Sequence, residues 1–368
     1  MIPLCIPEMG GNEWKYVKEC IDTNWVSSVG SYVDLFEKRF AEYVKASSAV
    51  VTMNGTAALQ LALITLGIGH GDEVIVPSMT FISPVNTIRY VGAEPVFCDV
   101  CRDTFVMDAD KVEELVTPKT KAIMPVHIYG HPVDMNKIME IAKKYNLYII
   151  EDATEALGSK YNGKMTGTIG HIGAFSFNGN KLITTGAGGM LVTNDKKLGE
   201  RAKFLSTQTK VILDNKAFYH PEVGYNFRMP NLLAAFGVAQ LEKVEEFLNI
   251  KRENAKYYNE LLKDVKGVTL PTEKEWAENC YWLYSILIED DYGITRDELI
   301  NVLKEEGVES RPFFMAVHEM PPYKDCKHGD MSVTDEICKK GINLPSSVGI
   351  KKSEIEKVCH IIKRCSKQ

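Results

Sequence analysis

The chain is predicted to be an α/β protein, with a mainly parallel central sheet flanked by helices and a smaller C-terminal α+β domain. Short apolar runs alternate with helical patterns from about residue 48 to residue 190. Most of these runs are continuously apolar, as is typical of parallel strands covered on both faces. Glycines and polar residues follow directly after them, at the edge of the sheet where ligands of such folds bind.

Each predicted element of the large domain corresponds to one of these runs or to the helical pattern that follows it. Strands are expected at 48–52, 73–76, 94–97, 121–124, 147–150 and 190–193, with a further strand ending at Ser176. Helices are expected at 55–66, 81–91, near 108–116 and at 134–144. Parallel strands need crossover connections, which place these helices on the faces of the sheet.

The C-terminal third has a different pattern. A helical pattern without internal proline runs from 232 to about 262 and is expected to link two domains. We predict a large domain over 1–245 and a small one over 246–368. The elements expected beyond the linking helix are a strand at 281–288 and helices at 296–306 and 352–364.

Composition places the chain among ordinary globular proteins. Of its 368 residues, 45% are hydrophobic and 25% are charged, which excludes a disordered or fibrous protein. A net charge of −6 does not favour binding to nucleic acid or to a membrane surface. No apolar run reaches the roughly 18 residues of a membrane helix, and the first residues lack a signal-peptide pattern. A cytoplasmic enzyme is therefore expected.

The nine cysteines are odd in number and are scattered from Cys5 to Cys365, and such a spread indicates reduced thiols rather than a disulfide framework. Cys98 and Cys101 form a CxxC pair, but no second pair accompanies them. His127 and His131 have the spacing of some zinc ligands, yet the glycine and proline beside them predict a loop. We predict no metal site.

One lysine is distinguished by its position. An apolar strand ends at Ser176, a polar turn then presents Lys181, and the glycine-rich stretch Gly186–Gly189 leads into the next strand. A lysine held there can form a Schiff base with an aldehyde cofactor. Upstream, a strand ends in Glu151 and Asp152, and a carboxylate there can keep a pyridinium nitrogen protonated. An amine, a carboxylate and a hydroxyl are the parts of a pyridoxal phosphate site.

Other strand ends and one loop extend this prediction. Gly55 and Thr56 open a helix after the first strand, where backbone N–H groups and a hydroxyl suit a phosphate. Phe81 follows another strand and can stack on a flat ring. Asn226 and Arg228 lie in an aromatic-rich loop and suit an anion. The alternatives at these places are an ordinary helix cap, a core phenylalanine and a helix-entry loop.

Together these residues resemble the DegT/DnrJ/EryC1/StrS family of sugar aminotransferases, which are pyridoxal phosphate-dependent transferases of fold type I. The resemblance runs nearly end to end. No single motif is specific, but several occur in the same order. The matching stretches are Gly10–Glu13, Asn54–Leu59, Pro77–Phe81, Glu151–Ala153, Phe175–Lys181, Gly224–Met229 and Arg311–Phe314.

The resemblance implies roles for the residues around Lys181. Lys181 would hold the cofactor covalently and later carry the proton between two carbons. Asp152 would pair with the ring nitrogen. Gly55, Thr56 and Ser176 would bind the phosphate.

Further positions follow from the same resemblance. Phe81 would stack on the ring. Glu155 stands where many relatives have glutamine or histidine and would contact the ring hydroxyl. Asn226 would reach the phosphate in the neighbouring subunit, which implies a homodimer with a shared active site. Ala187 replaces the glutamate usual after the lysine, and the role of that position is left open.

The implied reaction moves an amino group from L-glutamate to the 4-keto group of a nucleotide-linked 4-keto-6-deoxy sugar in surface-glycan biosynthesis. The stretch Asn24–Gly30 and the motifs around Asp152 and Lys181 look most like enzymes that use UDP-4-keto-6-deoxy-N-acetylglucosamine. Perosamine synthases, which use GDP-4-keto-6-deoxymannose, are the alternative. Candidate contacts to the nucleotide or sugar are Trp25, Ser27, Arg228, Arg311, His318 and Tyr323.

Two other functions on the same fold are alternatives to amino transfer. A dehydratase acting on a keto-sugar would have histidine in place of Lys181. A non-catalytic relative would have lost Lys181 or Asp152. Because both residues are present, amino transfer is favoured.

Overall fold

The computed structural model describes residues 1–213 and 216–367. A seven-stranded sheet organises the first two-thirds of the chain. The strands of this part are β1 (Ser48–Thr52), β2 (Glu73–Pro77), β3 (Glu94–Cys98), β4 (Thr120–Ile123), β5 (Tyr148–Asp152), β6 (Lys160–Tyr161), β7 (Lys164–Met165), β8 (Ile172–Ser176) and β9 (Gly189–Thr193). The large sheet has the order β1-β9-β8-β5-β4-β2-β3, and only β9 runs against the other six.

Helices cover both faces of this sheet. They are α1 (Glu13–Asp22), α2 (Ser31–Val44), α3 (Gly55–Thr65), α4 (Ile82–Tyr90), α5 (Met135–Tyr145), α6 (Lys196–Ser206) and α7 (Asn231–Leu241). Successive strand residues enter different cores: Ile149 packs in one cluster and Ile150 in the other. This two-sided burial explains the continuously apolar runs, and the predicted α/β architecture is confirmed.

A second sheet lies in the C-terminal third. Besides α7, the helices and strands from 211 onwards are β10 (Val211–Leu213), β11 (Lys216–Tyr219), α8 (Val244–Leu262), β12 (Val268–Thr269), β13 (Ala277–Glu278), β14 (Tyr284–Ile288), α9 (Arg296–Glu305), β15 (Arg311–Pro312), α10 (Ser332–Lys340), β16 (Gly341–Leu344) and α11 (Lys352–Cys365). The antiparallel sheet β12-β14-β16-β15 packs with α8, α9 and α11 around a third core. Ile2 joins this core and forms a bridge with Val308. The domain boundary at 245 stays a prediction.

The prediction of a helix near 108–116 is wrong. Two separate 3₁₀ turns occupy the segment, Ala109–Lys111 and Glu113–Leu115. The apolar residues of this segment that pack on the core are Ala109, Val112, Leu115 and Val116. Spacings of three and of four both occur among them, so the apolar pattern does not distinguish 3₁₀ turns from an α-helix.

The single helix expected from 232 to 262 is also wrong, because the chain forms α7 and α8 with a break at Glu242 and Lys243. The Glu242 carboxylate accepts hydrogen bonds from Asn12, Tyr16 and Arg39. The two helices pack on different partners, α7 on α1 and α2, and α8 on α11. No glycine or proline marks this change of direction, so the helical pattern of apolar residues predicts one continuous helix.

In the described part of the chain, no helix has the length and apolar character needed to cross a bilayer.

Candidate active site

A cavity of about 410 Å³ opens where β5 and β8 end and α3 begins. The large sheet supplies one wall, and residues 282, 283, 311, 312, 314 and 343 supply the opposite wall. The predicted residues that line it are Gly55, Thr56, Phe81, Asp152, Glu155, Ser176, Lys181 and Arg311. The topology explains this convergence, because parallel strands end at one edge of the sheet.

Lys181 presents its amine to this cavity. Its Nζ lies 3.8 Å from Glu155 Oε1 and 3.8 Å from the centroid of the Trp282 ring. Burial lowers the pKa of the Lys181 amine, while Glu155 and Asp152 oppose that shift. A lysine whose pKa is lowered is more often neutral at physiological pH, and only the neutral amine is a nucleophile.

Asp152 is the last residue of β5 and is buried. Its Oδ1 accepts a hydrogen bond of 2.9 Å from the Thr154 N–H, and burial raises the pKa of its carboxyl. In the residues that the structure describes, no basic side chain forms an ion pair with it. A buried carboxylate without a cation is costly, so a ligand with a protonated ring nitrogen would fit here.

Glu155 lies beside the same amine. Its Oε2 accepts a hydrogen bond of 2.9 Å from the Tyr129 N–H. Burial raises the pKa of Glu155 to about 7, although Lys181 opposes the shift. The cavity therefore holds two carboxyl groups around one amine.

The far end of the cavity suits an anion. Asn54 caps α3, its Oδ1 accepting from the Ala57 N–H at 2.8 Å, so the positive end of the helix dipole faces the cavity. A Cβ at Gly55 would meet Ser176 Cβ and Thr154 Cγ2 at 3.0 Å. Glycine thus allows the first turn of α3 to approach the end of β8. With the aromatic Phe81, which is 52% exposed in the wall, these residues fit pyridoxal phosphate.

A buried network fixes the strand that carries Asp152. The Glu151 carboxylate accepts three backbone N–H groups from the loop 167–170, at 2.6 to 2.7 Å. It lies 3.0 Å from His127 Nε2, and the Val133 N–H donates to His127 Nδ1. That second bond makes Nε2 the protonated nitrogen, which donates to Glu151. His127 therefore supports the strand through hydrogen bonds, as a loop histidine.

Four predicted residues lie outside the cavity of their own chain, on the N-terminal segment and the loop before α7. Asn226 is exposed, and its Oδ1 accepts from Arg228 Nε at 2.9 Å. Trp25 and Ser27 are exposed, and both backbone carbonyls bind Asn231. Their roles stay predictions.

His318 and Tyr323 also lie outside the cavity. His318 Nδ1 is 2.7 Å from Ser78 Oγ, and its Nε2 is 3.4 Å from Asp335. The buried Tyr323 hydroxyl donates to Asn86. Sugar or nucleotide contacts by these two residues remain predictions.

Several cavity residues are not among those predicted from the sequence. Ser83 Oγ is 2.7 Å from Thr56 Oγ1, and Thr80 has a buried hydroxyl without a hydrogen-bond partner in the described residues. Both lie beside Phe81 at the same strand end, so its position was a usable signal. Trp282 and Asn343 come from the second sheet, where no local motif marked them.

Comparison with known proteins agrees with this site. The profile of the DegT/DnrJ/EryC1/StrS aminotransferase family matches residues 7–363. Two relatives are each 44% identical: the GDP-perosamine synthase of Caulobacter vibrioides, over 97% of this chain and 96% of the relative, and that of Escherichia coli O157:H7, over 98% and 97%. The PLP-form of the putative sugar aminotransferase Spr1654 from Streptococcus pneumoniae superimposes with a TM-score of 0.92 at 25% identity, covering 99% of this chain and 98% of that one.

The cofactor predicted from the sequence is thereby confirmed as pyridoxal phosphate, and the predicted enzyme class is confirmed as well. The chain is a pyridoxal phosphate-dependent sugar aminotransferase and belongs to the DegT/DnrJ/EryC1/StrS family.

Proposed function

We propose that the protein transfers an amino group from L-glutamate to the 4-keto group of GDP-4-keto-6-deoxymannose. The proposal follows the relatives named GDP-perosamine synthase, which match nearly the whole chain at 44% identity. The UDP-linked substrate that the sequence pattern favours receives less support than this alternative.

The observation that carries amino transfer is the amine of Lys181 in a cavity that also holds Asp152 and Glu155. When bound, pyridoxal phosphate supplies an electron sink that acidifies the C–H bond beside the transferred nitrogen. Lys181 Nζ then takes the proton from one carbon and returns it to the other. Asp152 keeps the ring nitrogen protonated, because a buried carboxylate favours a cationic partner.

Glu155 acts on the same amine from the side. Its carboxyl lies 3.8 Å from Lys181 Nζ and is fixed by the Tyr129 N–H. A charged Glu155 favours the ammonium form of Lys181, and a protonated Glu155 favours the neutral amine. We therefore assign Glu155 to control of the proton on Lys181, besides its implied contact to the ring hydroxyl.

The proposed assembly is a homodimer in the cytoplasm, with the loop around Asn226 reaching the partner's site. Asn226 is exposed and lies outside the cavity of its own chain. Phe218 and Val223, nearby in sequence, are 78% and 80% exposed. Exposed apolar side chains beside a polar anion-binding candidate suit an interface between subunits. The nine cysteines are all free thiols, as suits a reducing compartment.

The test offers the two keto-sugars separately with L-glutamate and follows 2-oxoglutarate formation and the sugar product by mass spectrometry. We expect the GDP-linked sugar to gain an amino group with the higher kcat/KM. A higher kcat/KM with UDP-4-keto-6-deoxy-N-acetylglucosamine would overturn the substrate assignment. If L-glutamate bleaches the yellow enzyme but neither sugar is aminated, L-glutamate remains the assigned amino donor and both keto-sugars are excluded as acceptors.

A further inference from the structure

Trp282 is held in the cavity wall from several sides. Its Nε1 donates to the Asn180 carbonyl at 2.7 Å, and its ring stacks on Tyr129 with centroids 6.4 Å apart. Its own carbonyl accepts from Lys251 Nζ at 2.7 Å. The face of the ring carries Lys181 Nζ, 3.8 Å from the centroid. The position of the ring against the amine is thus fixed by contacts that do not involve the amine.

Among the residues that hold Trp282, Lys251 on α8 has the largest free-energy cost of burial. Its side chain is buried, and its Nζ donates to the carbonyls of Trp282 and Ser346. Burial lowers the pKa of its amine, and in the described residues no carboxylate forms an ion pair with it. A buried ammonium is expensive unless it is well bonded. Here its two bonds tie the turn before β14 to the segment after β16.

The backbone beside Trp282 is strained and tightly packed. Tyr281 has φ +50°, a left-handed conformation that is unfavourable for a residue with a bulky side chain. Gly130, with φ +108°, packs against this turn, where a Cβ would lie 2.7 Å from Cys280 Sγ and 2.9 Å from the Tyr281 nitrogen. Strain of this kind persists where surrounding contacts over-determine a conformation, and it clusters at functional sites.

We infer that Trp282, anchored by Lys251, is a positioning residue that holds the amine of Lys181 whenever that amine is not bonded to the cofactor. The inference rests on the proposed role of Lys181, which must leave the cofactor in the first half-reaction and return to it in the second. The ring face attracts the ammonium form, and Glu155 lies at an equal distance on another side. The free amine therefore stays in the cavity.

The test measures how fast full-length enzyme freed of cofactor reacts with added pyridoxal phosphate, across a range of pH. The neutral amine adds to the aldehyde carbon and water is lost, so yellow absorbance reports the step. Removing the ring face in Trp282→Met removes a desolvated cation–π contact. The pKa of Lys181 then falls, and the pH of half-maximal rate falls by about one unit.

Two further variants distinguish an effect of the aromatic ring face on the half-maximal pH from an effect of altered packing. Trp282→Phe keeps an aromatic face and should fall between wild type and Trp282→Met. Lys251→Met frees the Trp282 carbonyl and should shift the profile in the same direction by less. The control is Trp276→Met, because Trp276 packs on Tyr161 and His131, away from the amine. It should leave the profile unchanged.

An identical half-maximal pH in wild type, Trp282→Met and Trp282→Phe would overturn the inference. If Trp282→Met does not fold, identical pH–rate profiles in wild type and Trp282→Phe would also overturn the inference. A wild-type enzyme that forms no yellow absorbance with pyridoxal phosphate would instead overturn the proposed role of Lys181, which is a separate failure.

Discussion

Lys181 and Glu155 are two buried groups whose charges depend on one another. Burial raises the pKa of Glu155 to about 7 and lowers the pKa of Lys181, so each group is pushed towards its neutral form. Their separation of 3.8 Å works in the other direction, because each charge stabilises the other. Near neutral pH the pair can therefore gain or lose a proton as a unit, which glutamine at position 155 could not do.

Replacement of the lysine tests the core of the assignment. Lys181→Ala should lower turnover by about a thousandfold or more, because no other amine in the described cavity can take the transferred proton. Amination of the keto-sugar is measured by mass spectrometry. The exposed Lys143→Ala serves as the control. Turnover close to wild type in Lys181→Ala would contradict the mechanism.

The ionisation of Glu155 should also affect how the free energy of unfolding depends on pH. An unfolded glutamate titrates near about 4.3, whereas burial raises the pKa of folded Glu155 to about 7. Between these values the folded state binds more protons, so the free energy of unfolding falls as pH rises. In cofactor-free enzyme, Glu155→Gln should remove up to about 1.4 kcal/mol per pH unit of that fall.

Urea unfolding at a fixed protein concentration, across this pH window, measures the slope. Glu305→Gln, on the exposed face of α9, is the control and should leave the slope as in wild type. An unchanged slope in Glu155→Gln would mean that Glu155 is ionised throughout the window.

At the scale of elements, the contact between α3 and the end of β8 decides how the phosphate would be bound. Gly55→Ala places a Cβ 3.0 Å from Ser176 Cβ and Thr154 Cγ2. Overpacking of this size costs about 1 to 3 kcal/mol, so we expect cofactor affinity to fall by about tenfold or more. Cofactor titration followed by absorbance measures it.

Gly69→Ala is the matched control for this substitution, because its Cβ would meet only Val91 O at 3.5 Å. It lies in the turn before β2, away from the cavity. Equal cofactor affinity in Gly55→Ala and Gly69→Ala would show that the close approach at Gly55 is not needed for phosphate binding.

Elements whose apolar pattern has a single interpretation could be predicted from the sequence. Runs such as β5 are apolar on both faces, and the residues that end them converge because the strands are parallel. Near 108–116 the apolar spacing fits an α-helix as well as 3₁₀ turns, so the predicted helix is wrong there. At Glu242, side-chain hydrogen bonds rather than glycine or proline redirect the chain. Trp282 was out of reach, because it bonds Asn180 across 102 positions and has no motif of its own.

At the scale of the whole molecule, the prediction concerns the proposed second subunit. Asn226→Ala should weaken cofactor retention, although Asn226 lies outside the cavity of its own chain. Retention is measured by dialysis at several protein concentrations, since a shared site should lose cofactor on dilution. Asn301→Ala, exposed on α9, is the control. Retention that is independent of both dilution and Asn226 would argue against a shared site.

The pairing of Ile2 with the second sheet has a consequence for synthesis. Ile2 exchanges hydrogen bonds with Gly307 and Glu309, and the Leu4 N–H donates to a carboxylate 305 positions away. At about 5 to 20 residues per second, a ribosome needs roughly 15 to 60 s to make that partner. The segment around Ile2 therefore remains without these partners until residues 307–309 have been made. During that interval, a chaperone or a neighbouring nascent chain can compete for it.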